Sequence, residues 1–301
     1  MLTISKRHSI SHTHLRNGLL FALPWIVGFL AFQLYPIGAS LYYSFTQYDI
    51  FSPPRWIGLQ NYAAVFQDSN FYQALGNTVY MIIIGLPIGL IGGFLIGHLM
   101  NGKTRLMPLF RTSFFLPNAM PAVASLFVML WLFNPAVGLV NQILGLVHLP
   151  QPLWYDSATW AKPFLIGAGL WGVGYTGLLY LSAMKAVPSE LYEAAQLDGA
   201  GTWAQMRHIT IPMVSPVTLF LLITGMIGTL SSFTSPYIIG GGSGSPDGSL
   251  LFLSVYIYSQ ALHYLNMGYA SALAWTLLVM SLLLTLTVLK WARGWLFYGG
   301  Q

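Results

Sequence analysis

The chain has 301 residues, of which 55 % are hydrophobic and only 6 % charged, against roughly a quarter charged in ordinary soluble domains. A soluble fold cannot bury that much apolar surface, so its solvent is lipid. Twelve Lys and Arg against seven Asp and Glu give a net charge of +5, which here reads as basic loops rather than a nucleic-acid partner. The lack of cysteine excludes disulfides and cysteine-ligated metal.

The N-terminal tail, 1–17, carries Lys6, Arg7 and Arg16 and the tract "HSISHTH" (8–14). With no carboxylate or thiol beside it, that tract reads as a solvated tail, not a metal site. The apolar run 18–43 is too long for a signal-peptide core and has no small-residue cleavage site after it, so it reads as a retained first span. Five more segments have the roughly 20 apolar residues that a crossing needs: 75–100, 109–133, 163–185, 213–239 and 269–291. All are predicted as helices, because lipid leaves no partner for open backbone. With both termini inside, the inner segments hold Lys6, Arg7, Arg16, Lys103, Arg105, Arg111, Lys185, Arg207, Lys290 and Arg293. The outer loops then hold only Arg55 and Lys162. Within 134–148, Val137, Val140, Ile143, Leu144 and Val147 recur at helical spacing, which predicts a short helix along the outer surface or against a partner. "GGGSGSPDGS" (240–249) has no packing side chains and predicts a mobile outer loop.

Two phosphate-binding patterns occur out of context. "GHLMNGKT" (97–104) matches G-x-x-x-x-G-K-[ST], but a membrane helix precedes it and Pro108 follows. "GAGLWG" (167–172) matches G-x-G-x-x-G inside the fourth span. The first reads as a basic turn, the second as small residues that let a neighbouring helix approach. Gly85, Gly89, Gly93 and Gly97 recur every four residues, three overlapping G-x-x-x-G steps, and predict a face for close helix–helix contact.

No Lys, Arg, Asp or Glu lies deep in any span, which speaks against proton relays, voltage sensing and an aspartate-based protease. No nucleophile–base pair or metal cluster marks an enzyme. The polar stretch "GTLSSFTSPY" (228–237) ends the fifth span. Ser232, Ser235 and nearby Tyr237 are the candidate substrate path, because hydroxyls at membrane depth need partners and sugar sites combine hydroxyls with an aromatic face.

The loop "SELYEAAQLDGAGTWAQMRHITIP" (189–212) holds three of the seven acidic residues, Glu190, Glu193 and Asp198. It reads as two short helices: Ser189 can cap the first, Gly199 and Gly201 break it, and a second runs from about Thr202 to His208. Tyr192 with Ala195, and Trp203 with Met206, share faces. Such an apolar and acidic knob suits a partner's socket.

These residues resemble the cytoplasmic signature of bacterial ABC-importer permeases: E-A-A, then Gly after three residues, then I-x-L-P after nine more. Glu193, Ala194, Ala195, Gly199, Ile209 and Pro212 match, with Ile211 in place of the usual Leu. "RTSFFLP", "LWLFNPAVGLVNQIL", "YIIGGG", "GLQNYAAVF" and "FYQALGNTVY" resemble the carbohydrate-uptake branch, on the subunit type related to the larger maltose permease component, without its extra N-terminal spans and large outer domain.

The resemblance implies an all-α integral membrane protein with six transmembrane helices, the type I ABC importer permease fold. It implies a first helix and outer loop at 18–70, a permease core at 71–293 with its coupling loop at 186–212, and a cytoplasmic C-terminal tail at 294–301. It implies half of a sugar or polyol pore in the bacterial inner membrane, paired with a second permease subunit, two ATP-binding subunits and an extracytoplasmic solute-binding protein. This chain itself would bind no cofactor, ATP and Mg belonging to the partner ATPase. The rival expectation is a channel or ion-coupled carrier working without ATP.

Overall fold

The computed structural model describes residues 12–102 and 104–296. Lys6 and Arg7, the side chains of the histidine tract, Lys103 and residues 297–301 lie outside what is described. Four helices are long and apolar enough to cross a membrane: Leu20–Ser44, Ser69–Met100, Ser215–Gly240 and Met267–Ala292. Two bent pairs lie between them in the chain. Met107–Ala119 and Ala122–Leu132 meet at 102°, and Ala158–Leu170 and Gly174–Lys185 at 51°. Each pair taken as one span brings the number to six, as the sequence predicts. They are numbered spans 1 to 6 in chain order.

Two starts differ from prediction by more than two residues. Span 2 begins at Ser69 because the Asp68 side chain accepts the Asn70 N–H (2.9 Å) and caps extra polar turns. Span 4 begins at Ala158, so Pro163 lies inside the helix instead of opening it.

Proline shapes the ladders. Pro36, Pro87 and Pro212 lack an N–H and crowd the carbonyl four residues back. Just before each, the helix widens over Leu30–Leu34, Met81–Gly85 and Met206–Thr210. The N–H groups of Tyr35, Leu86 and Ile211 reach back five residues, to the carbonyls of Leu30, Met81 and Met206. At the end of span 2, the Arg111 guanidinium donates twice to the Met100 carbonyl (3.1 and 2.7 Å), satisfying a helix-end acceptor.

Two buried clusters hold the bundle. One gathers Phe71, Leu165, Leu250, Phe252, Val255 and Leu273. The other, around Tyr180, Met184, Val214 and Leu221, joins spans 4 and 5, with Leu90 and Phe94 of span 2 against it. Large apolar side chains elsewhere are bare, Phe21 at 89 % and Phe32 at 82 % exposed. That suits a fold whose solvent is hydrocarbon.

The glycine-rich loop 240–249 is tied down. Gly241, Gly244 and Gly248 take φ of +62°, +68° and +65°, which glycine adopts without steric cost. Gln73 Nε2 donates to the Asp247 carbonyl (3.0 Å), and Asn77 Nδ2 to the carbonyls of Gly248 (2.8 Å) and Leu251 (3.0 Å). The missing side chains that suggested mobility let the backbone pack closely against span 2. The segment 134–148 does form a short helix, Leu139–Leu146, but the side it buries centres on Asn141. Asn141 donates to the carbonyls of Pro135 (3.0 Å) and Pro152 (3.1 Å) and accepts from Trp154 Nε1 (2.7 Å). Val137, Ile143 and Val147 of the predicted stripe are exposed.

Candidate translocation cavity and docking knob

Three helix breaks converge on one cavity. Span 3 breaks after the tight turn Leu116–Ala119, between Pro117 and Pro121. Span 4 breaks at 171–173, where glycines flank Trp171, and span 5 at 231–233. Non-helical backbone at membrane depth is tolerated where it faces a cavity instead of lipid. The cavity holds about 440 Å³. The first break lends it Asn118 and Met120, the second Trp171 and Gly172, and the third Ser232; Ser125 and Ser235 add hydroxyls. A second cavity of about 490 Å³ runs on past Gly89, Thr224 and Thr229. Both volumes fall within the range of small-molecule sites. Met81, Leu165, Gly169, Ser232 and Phe252 line both cavities, and no ionisable Asp, Glu, Lys, Arg or His is among the lining residues of either.

Ser232 and Ser235, singled out from sequence, thus line the cavity. Tyr237 does not. Residues two apart on a helix point roughly 200° apart, so Tyr237 turns away from Ser235. It stacks on Phe233 (4.9 Å between ring centres) and meets Tyr258 edge-on (5.0 Å). The cavity's aromatic residues are instead Trp171, 45 % exposed, and the almost fully buried Phe252. Sequence reasoning missed Trp171 and Asn118, although "LPNAMP" and a tryptophan among glycines were the available signals.

Along the glycine ladder, a Cβ on Gly93 would stand 2.4 Å from Thr176 Cγ2, and one on Gly97 would stand 2.7 Å from the Gly177 carbonyl oxygen. A Cβ on Gly85 would stand 3.3 Å from Ile166 Cγ1. Gly89 has open space and lines the second cavity. It falls level with the break in span 4, where the partner helix bends. Gly167 and Gly169 of "GAGLWG" likewise meet nothing within 4 Å, so they do not serve helix approach.

The knob consists of Ser189–Leu197 and a second helical stretch from Thr202 to Met213. Pro188, not Ser189, occupies the cap position. Gly199 has φ +80°. Its N–H donates to the Gln196 carbonyl (3.0 Å) and the Ala200 N–H to the Ala195 carbonyl (2.8 Å), the paired bonds that close a helix through a left-handed glycine. Gln205 Nε2 donates to the Ala200 carbonyl (2.9 Å), and the Tyr192 and Thr210 hydroxyls bond at 2.9 Å, fixing the two arms together. Glu193 and Ala194 are exposed, while Ala195, Ile209 and Pro212 are half-buried. Leu197 and Trp203 stand 90 % and 68 % exposed. A rigid knob thus presents apolar and acidic side chains with nothing on them.

A hollow polytopic helical bundle with one stiff knob defines a membrane transport subunit. The chain matches, over residues 85–296, the family described as binding-protein-dependent transport system inner membrane component. It is 37 % identical over 298 residues to the probable ABC transporter permease protein YesP of Bacillus subtilis (strain 168), covering 98 % of this chain and 96 % of that protein. It is 33 % identical to the lactose transport system permease protein LacF of Rhizobium radiobacter, covering 93 % and 95 %. In fold it is similar to a chain of a bacterial alginate ABC transporter, solved with an alginate pentasaccharide-bound periplasmic protein (TM-score 0.75, 24 % identity, covering 91 % and 93 %). The chain belongs to the family of membrane components of binding-protein-dependent transport systems, and its role is that of a transporter permease.

Proposed function

We propose that this chain forms half of the pore of an ATP-driven importer for an uncharged sugar or polyol. The observation that carries the cargo class is the cavity where three helix breaks meet. It offers hydroxyls from Ser125, Ser232 and Ser235, the Asn118 amide and the Trp171 ring, and no ionisable lining group. Such a surface suits neutral hydroxyl-rich ligands, and a phosphorylated or uronate cargo would enter without a counter-charge. The similarity to one lactose transport system permease, LacF, supports this reading.

The chain sits in the bacterial inner membrane with both termini in the cytoplasm, which the inward bias of Lys and Arg supports. It pairs with a second permease subunit and takes cargo from an external solute-binding protein. Two ATP-binding subunits dock beneath, and ATP and Mg belong to them. The knob, with Glu193, Ala194, Ala195, Gly199, Ile209 and Pro212, transmits their closure into span 5. Gly85, Gly93 and Gly97 keep spans 2 and 4 in close register. The test is purification of the complex and uptake in vesicles with a panel of neutral, phosphorylated and uronate sugars. An ATPase that co-purifies, with uptake confined to neutral sugars, supports the reading. Transport without any ATPase, or of the charged sugars alone, overturns it.

A further inference from the structure

Lys162, three residues before the cavity-lining Leu165, makes no ion pair among the described residues. Its Nζ donates to Asn77 Oδ1 (2.9 Å) and lies 5.0 Å from the centre of the Tyr80 ring. Asn77 in turn donates to the Gly248 and Leu251 carbonyls, and Thr78 Oγ1 accepts the Leu253 N–H (3.1 Å). One polar junction thereby joins span 2, span 4 and the loop after span 5. Within four residues of each of its members stands a bulky apolar residue: Met81 four after Asn77, Leu165 three after Lys162, Phe252 next to Leu251. Those three are the large side chains shared by both cavities, and Leu165 and Phe252 are almost fully buried.

We propose that Lys162 and Asn77 are positioning residues that latch an apolar plug, Met81–Leu165–Phe252, across the outer end of the cargo path. The inference rests on the importer reading above. A lone ammonium held by an amide and a ring face is strong enough to set a resting state and, having no carboxylate partner, releases without leaving a second buried charge. Opening the path outward then requires span 2, span 4 and the loop to part at this junction. Loss of the latch shifts the inward–outward balance toward the open side.

Two measurements on the assembled complex test this. Lys162→Met should raise ATP hydrolysis without binding protein by roughly threefold or more, and Lys162→Arg should restore the resting rate. Because the chain has no cysteine, Gln73→Cys with Asp247→Cys gives a single site for a short reducible thiol crosslinker; Gln73 now bonds the Asp247 carbonyl at 3.0 Å. Crosslinking should stop uptake and reduction restore it. Uptake continuing in fully crosslinked complex, or a resting hydrolysis rate unchanged in assembled Lys162→Met, overturns the latch. A wild-type complex that lacks an ATPase instead overturns the importer reading itself.

Discussion

Trp171 and Tyr237, aromatic residues of spans 4 and 5, have opposite fates. Trp171 is 45 % exposed and faces the cavity, whereas Tyr237 is spent on the rings of Phe233 and Tyr258. Replacing Trp171 with Ala removes an aromatic face worth about 1–2 kcal/mol, so half-maximal uptake should need about tenfold more delivered sugar, with basal ATP hydrolysis unchanged. Tyr237→Phe should transport as wild type, because its stacked ring remains. Uptake assays in vesicles with hydrolysis measured alongside separate the two.

A second cluster ties the outer ends together. Tyr269 donates to Asp68 Oδ2 (2.6 Å), Tyr256 bonds the same oxygen, and Gln260 Nε2 donates to the Tyr256 hydroxyl (3.1 Å). Burial works to raise the Asp68 carboxyl, but these hydroxyls and the N–H groups of Asn70 and Phe71 outweigh it and hold it below its usual value. Burial and the bond to Asp68 push Tyr256 up to about 12. A carboxyl lowered in the fold contributes stability above its unfolded value of about 3.9, and that stability is lost as acid protonates it. A tyrosine raised in the fold contributes below about 10 and loses that contribution as pH climbs toward 12. Tyr256→Phe should therefore melt below wild type in detergent near neutral pH, with the gap shrinking below about pH 4. A gap unchanged in acid would show that the carboxylate bond is not its source.

At the scale of elements, spans 2 and 4 meet where glycine removes bulk. Gly97→Leu drives a side chain into the Gly177 backbone, which cannot yield, and Gly93→Leu collides with Thr176. Both should lower the yield of assembled complex several-fold, as backbone clashes at a helix interface do. Gly89→Ala should assemble normally, because nothing lies within 4 Å. Size-exclusion yield of the three variants checks this. The ladder was legible because a four-residue repeat fixes a face; its gap at Gly89 was not, because it depends on where the opposite helix bends. Span count was likewise legible from apolar length, and the knob from glycine, proline and acid placement. The glycine loop misled, because composition records absent side chains and not the Gln73 and Asn77 amides that hold its backbone. The cavity was half legible: hydroxyls in span 5 stand out in an apolar run, while their companions on spans 3 and 4 come from breaks distant in sequence.

The whole molecule has a direction, with loop 240–249 at one end and the knob at the other. In the cysteine-free chain, Ser243→Cys should label from outside the cell and Thr202→Cys only from inside; both positions are exposed. The reverse pattern would invert the topology and remove the knob from the proposed ATPase. Everything proposed for the knob depends on its stiffness, and Gly199 supplies the turn. A residue with a β-carbon at φ +80° is strained by about 1–2 kcal/mol, which the exposed knob can relieve only by realigning its two arms. Glu193 stands exposed, with no side-chain hydrogen bond or ion pair among the described residues, so truncating it should leave stability within about 0.5 kcal/mol. The deciding measurement is uptake per ATP hydrolysed, in vesicles holding the assembled complex and its loaded binding protein, for wild type, Glu193→Ala and Gly199→Asp. If the knob carries the ATP cycle into span 5, both variants assemble and hydrolyse ATP while moving far less sugar per ATP. An unchanged ratio in fully assembled complexes would mean that the force enters the membrane elsewhere.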